Sequence, residues 1–74
     1  MKSLTGMAWL RHRMTQLDYP TLQTVATVAG MNRGNLYRYF TFQTRPSIDV
    51  LPVLAYALDV HMKDILRALE VEEA

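Results

Sequence analysis

Leu22 to Phe40 reads LQTVATVAGMNRGNLYRYF, and the spacing inside this stretch decides the fold. Ala26 is followed four residues on by Gly30, then by Met31, Asn32, Leu36 and Tyr39. Two short helices crossing at a steep angle need a small residue where their backbones approach, and Ala26 supplies it. Gly30 is expected to end the first of them in a left-handed turn that disfavours any side chain. Met31 then plugs the corner, Asn32 caps the second helix, and Leu36 and Tyr39 pin its inner face to a core. What is left for the outer face is Arg33, Gly34, Asn35, Tyr37 and Arg38. A helix face of that chemistry suits the major groove of double-stranded DNA.

Outward from this centre, every periodic segment is helical, with no alternating strand pattern and no low-complexity run. A first helix is predicted from about Leu4 to Leu17, with Leu10, Met14 and Leu17 on one face and Trp9 at its edge. Asp18-Tyr19-Pro20-Thr21 breaks it, and Thr21 is the expected N-cap of a second helix through Ala29. The third helix runs from Arg33 to about Phe40. Thr41 to Pro46 is a polar loop whose one large apolar member is Phe42. Pro52 constrains the fourth helix. With Asp49 as N-cap, the proline falls in the first turn, where its missing N–H has no intrahelical acceptor to lose. The regular helix then spans about Val50 to Leu58, with Leu51, Leu54, Ala55 and Leu58 facing inward. A fifth helix from about Met62 to Val71, led by His61, presents Met62, Ile65, Leu66 and Leu69. The expected fold is all-α, a compact five-helix bundle forming a single domain over residues 1–74.

Composition narrows the function. Half of the 74 residues are hydrophobic, which suits a globular chain with a small core that gains from pairing with a copy of itself. There is no cysteine, hence no disulfide and no thiolate metal site. The apolar run Leu51–Leu58 is too short to span a bilayer, and no signal-peptide order opens the chain, so a cytoplasmic, nucleoid-associated protein is expected. The net charge of +1 hides an asymmetry. Up to Ile48, Lys2, Arg11, Arg13, Arg33, Arg38 and Arg45 face only Asp18, leaving +5. From Asp49 on, Lys63 and Arg67 face Asp49, Asp59, Asp64, Glu70, Glu72 and Glu73, leaving −4. A basic half beside an acidic half fits one face on nucleic acid and another turned away.

Two blocks, VATVAGMNRGNLYRYF (Val25 to Phe40) and RPSIDVLPVLAYALDVHMKDIL (Arg45 to Leu66), together resemble the Cro/repressor-type, or Xre-like, helix-turn-helix family. The second block carries the more specific match, a Pro-Ser lead-in before L-x-x-L-A-x-A-L and a short turn into an isoleucine–leucine pair. The resemblance implies a five-helix, lambda-repressor-like DNA-binding domain, commonly dimeric, that represses or activates transcription. The chain departs from the family's pattern at Leu22, where a glutamine usually opens the second helix. It departs again at Phe40 and Thr15, which replace both partners of an ion pair, and at Phe42, which replaces a glycine. AGMNRGNLYRYF is also similar to a TetR-type recognition helix, with Gly34, Tyr37 and Phe40 in register, but the fourth and fifth helices do not read that way.

The candidate DNA-binding residues follow from the outer face and its flanks. Arg33, in the first turn, is placed to take O6 and N7 of guanine in bidentate fashion, and Asn35 to pair with adenine. Arg38 lies one and a half turns on, suited to a base or a phosphate. Asn32 combines capping with a phosphate contact. Gly34 costs the helix about 1 kcal/mol against alanine, which points to a close approach to DNA. Tyr37 faces outward and Tyr39 toward the core. Thr41, Gln43, Thr44 and Arg45 in the following loop, with Thr21 and Gln23 opening the second helix, are phosphate contacts. Arg11 and Arg13 form a flanking basic patch. Each of these has a plain alternative as a solvated side chain. Val53, Tyr56, Val60, Met62 and Leu69 are candidates for a homodimer interface. His12 and His61 lack a second ligand at helical spacing, and no catalytic pair or phosphate loop is present, so no metal, cofactor, small-molecule ligand or enzyme activity is expected. The expected role is a dimeric repressor at a palindromic operator. An antitoxin or a restriction–modification controller could use the same domain, and a helical protein-interaction module without DNA is the reading from another class.

Overall fold

Every helix among the described residues, 4–71, of the computed structural model ends in the same device. The helices are α1 (Gly6–Gln16), α2 (Leu22–Ala29), α3 (Arg33–Phe40), α4 (Val50–Leu58) and α5 (Met62–Ala68), and no strand occurs among these residues. Each is followed closely by one residue in the left-handed region: Asp18, Gly30, Phe42, Asp59 and Glu70, with φ of 59°, 68°, 64°, 53° and 56°. The next N–H then reaches back five residues. Tyr19 donates to Met14 at 2.9 Å, Met31 to Ala26 at 2.9 Å, Gln43 to Arg38 at 2.9 Å, Val60 to Ala55 at 3.0 Å and Val71 to Leu66 at 2.9 Å. This double-bonded exit satisfies carbonyls that a helix end leaves orphaned, and it usually sets an apolar side chain down on the preceding turn. Tyr19, Met31, Val60 and Val71 do pack on the core. The exception is Gln43, exposed at the end of α3.

The helix starts are less uniform. Thr21 caps α2 by accepting from the Thr24 N–H at 3.2 Å. Asn32 caps α3 by accepting from the N–H groups of Gly34 and Asn35 at 2.7 and 3.3 Å. Asp49 occupies the N-cap position of α4 as expected but makes no capping hydrogen bond, because its own backbone is already helical (φ −69°, ψ −25°). Pro52 sits in that first turn as predicted. At α5 the His61 N–H donates to the Asp64 carboxylate at 3.2 Å. α5 stops at Ala68 rather than Val71, since the left-handed Glu70 turns the chain away.

Leu10, Val25, Leu36, Phe40, Leu54, Leu58 and Ile65 are sealed from solvent and form the centre, to which every helix contributes. α2 packs on both α3 and α4, α4 on α5, and α1 on both α3 and α5. Phe40 is wholly buried and stacks on Trp9, with ring centroids 6.0 Å apart and planes 1° from parallel. Tyr39, expected in the core, is half-buried at its margin. Leu69 is only 6% exposed and Val60 is half-buried against the core. This corrects the interface reading of Leu69, which is sealed inside the single chain, and gives Val60 a structural role in the exit from α4.

Two long-range fits lock the α1 end of the molecule to the rest. The Arg13 guanidinium donates from Nε to the Leu58 carbonyl and from Nη2 to the Asp59 carbonyl, both at 2.8 Å. The Tyr19 hydroxyl donates to the Ala57 carbonyl at 2.7 Å. Arg13 is therefore a C-terminal cap of α4, not part of a flanking basic patch. At the other end of α1, Gly6 (φ +58°) leaves room for Phe42. A Cβ on Gly6 would stand 2.8 Å from Cζ of that ring and 2.9 Å from the Phe40 carbonyl oxygen.

Candidate nucleic-acid interface

α3 is divided lengthwise. Leu36 and Phe40 are inaccessible, while Arg33, Asn35, Tyr37 and Arg38 are exposed. The division follows from the 3.6-residue period, and burial of one side against α1 and α2 fixes which side faces out. Three-residue turn Gly30–Asn32 joins α3 to α2, and the left-handed Gly30 with the double cap of Asn32 sets the angle of entry.

A groove of about 690 Å³ lies beside the first turn of α3, lined by Arg11, Thr21, Leu22, Gln23, Arg33 and Tyr37 among others. It gathers five of the predicted contacts, Thr21, Gln23, Arg33, Gly34 and Tyr37, on one concavity. Arg11, which sequence reasoning placed on a flank, belongs to this wall. Residues of α1, α2 and α3 all contribute, and the lining holds two arginines and no carboxylate. An anionic ligand is what such a concavity favours.

Next to the groove, Asn35 and Arg38 are joined. Arg38 Nη1 donates to Asn35 Oδ1 at 2.8 Å. Gly34 owes its place to the cap as well as to the surface, since a Cβ there would stand 2.9 Å from Asn32 Oδ1. The missing side chain, expected to allow a close approach to DNA, thus also leaves room for the Asn32 cap.

The loop after α3 splits in two. The Thr41 hydroxyl donates to the Tyr37 carbonyl at 2.8 Å, and the Gln43 amide donates to the Thr41 hydroxyl at 2.9 Å, so both side chains are tied to the end of α3. Thr44 and Arg45 line a separate cavity of about 210 Å³ with Tyr39, Phe42, Leu69 and Glu70. They stand apart from the groove that holds Arg33. Among the described residues no group of histidines and carboxylates could hold a metal ion, and no helix is long and apolar enough to cross a membrane.

Sequence reasoning missed Arg11 as a wall residue. Its spacing from Arg33 in the chain carries no signal, because α1 and α3 meet only through the fold. Comparison of the chain with profiles of known families, with curated proteins and with solved structures finds no match.

Proposed function

We propose that this chain is a sequence-specific, double-stranded-DNA-binding transcriptional regulator, acting in the cytoplasm as a homodimeric repressor at a palindromic operator. The observation that carries the reading is α3, a helix with Leu36 and Phe40 sealed inside and Arg33, Asn35, Tyr37 and Arg38 outside. A short helix presenting arginine and asparagine at its exposed N-terminal half matches the chemistry of guanine and adenine edges in the major groove. The adjoining groove, with Arg11, Thr21 and Gln23, supplies donors for the phosphates that flank it. The resemblance to Cro/repressor-type domains points the same way.

Dimerisation in this reading uses the outward side of α4 and the start of α5. Tyr56 is 80% exposed and Ile48, just ahead of α4, 77%, and Val53 and Met62 are also open to solvent. Two apolar side chains so fully exposed suit burial by a second copy.

Selection from random-sequence duplexes at two salt concentrations tests the proposal. A palindromic motif is the expected result, and Arg33→Ala should relax one position in each half-site, at a cost of about 1–3 kcal/mol. Weak binding that salt abolishes and that enriches nothing would overturn it. Ile48 and Tyr56 would then favour the protein-interaction reading.

A further inference from the structure

The geometry points to Asn35 as a positioning residue, one that aims Arg38 at a guanine and does not itself read adenine. This rests on the DNA-binding proposal and deepens it. A bidentate pair with adenine needs a carbonyl lone pair and an N–H of the asparagine amide turned together toward the base edge. One of the two lone pairs of the Asn35 carbonyl oxygen already accepts from Arg38 Nη1, at 2.8 Å, so that oxygen would have to serve the guanidinium and adenine at once. Breaking that bond to reach adenine would give up a charge-assisted hydrogen bond and release the guanidinium. Keeping it leaves the guanidinium with further N–H groups that can face O6 and N7 of guanine.

The path of Arg38 supports this assignment. Long side chains on a helix lean back toward its N-terminus. Here the guanidinium passes over Gly34, where a Cβ would lie 3.9 Å from Arg38 Nη1. The charge is thus carried from the last turn of α3 to the level of its first, beside the groove that Arg33 lines. One helix presents two arginines near its N-terminal half, the second held by its neighbour, at a small entropic cost of immobilisation on binding.

Selection from random duplexes with the wild-type chain, Asn35→Asp, Asn35→Ala and Arg38→Lys tests this. An aspartate still accepts from Arg38 but cannot donate to adenine. Asn35→Asp is therefore expected to keep every base preference while binding all duplexes more weakly, through repulsion from phosphate. Asn35→Ala and Arg38→Lys should both lose about tenfold in guanine preference at one shared position. Loss of an adenine by Asn35→Asp, at a position Arg38→Lys leaves intact, would overturn the assignment alone. A wild-type chain that enriches no motif would overturn the DNA-binding proposal and this inference with it. In the free protein, nitrogen relaxation at Arg38 Nε should report a more ordered side chain than at Arg33, and Asn35→Ala should abolish that difference. Equal mobility in the wild type would also overturn it.

Discussion

Phe42 holds a backbone conformation that costs a side chain roughly 1–2 kcal/mol, and its ring enters space that Gly6 leaves open. The two residues are coupled across thirty-odd positions of chain. Gly6→Ala is expected to destabilise the fold by more than about 2 kcal/mol, since the new methyl meets both a ring and a carbonyl in a left-handed setting. In a Phe42→Ala background the cost should fall but not vanish, because the Phe40 carbonyl oxygen still lies 2.9 Å from that Cβ. Thermal or urea unfolding of the four-member cycle measures the coupling. Arg13→Ala makes a second test of a single side chain. It removes two hydrogen bonds from the end of α4 and should cost about 1–3 kcal/mol, an effect that a merely solvated arginine would not show.

The helix exits explain which elements could be read from the chain and which could not. Gly30 announces itself, because glycine after a helical run is the ordinary left-handed cap, and Thr21 and Asn32 are equally local signals. α2, α3 and the turn between them lie where the sequence places them for that reason. Asp18, Phe42, Asp59 and Glu70 do the same job without glycine, so the α5 stop is invisible to pattern reading. The burial of Phe40 against Trp9, the capping by Arg13 and the place of Arg11 in the groove wall depend on which helices meet, and no spacing within one helix encodes that. For the site, the outer face of α3 is legible from its period, whereas the separation of Arg45 from Arg33 is a property of the assembled bundle. Asp18→Gly and Asp59→Gly should each raise stability by about 0.5–1 kcal/mol by relieving the strained φ, while Gly30→Ala should lower it by about 1 kcal/mol. Opposite signs at equivalent positions, followed by thermal melting, would confirm that the exits are one motif.

The whole molecule measures 33 × 29 × 21 Å along its principal axes, close to the span of about 34 Å between successive major grooves on one side of a duplex. Two copies side by side could therefore set two α3 helices one helical turn apart without any extension. Under the proposed function, half-site centres selected from random DNA should lie about 10 base pairs apart. Tyr56→Glu should convert a dimer to a monomer in sedimentation while leaving the melting of the monomer unchanged, since that side chain is 80% exposed. DNA affinity should fall with it. Arg11→Ala should weaken binding about equally for all sequences and reduce the slope of log affinity against log salt by about 1 per monomer. Arg33→Ala should instead act on one base position.

The left-handed exits also mark where the chain's chirality works against its own fold. Four L-residues there adopt a backbone geometry that is the favoured helical conformation of their mirror images. A chain of 74 residues is within reach of chemical synthesis, and D-aspartate installed at Asp18 or Asp59 would relax into the native turn while keeping the carboxylate. Unlike glycine, it would not loosen the unfolded chain, so the gain should exceed that of the glycine variants. The same stereochemical inversion in the middle of α3 would break the helix, making D-substitution a map of where this backbone turns over.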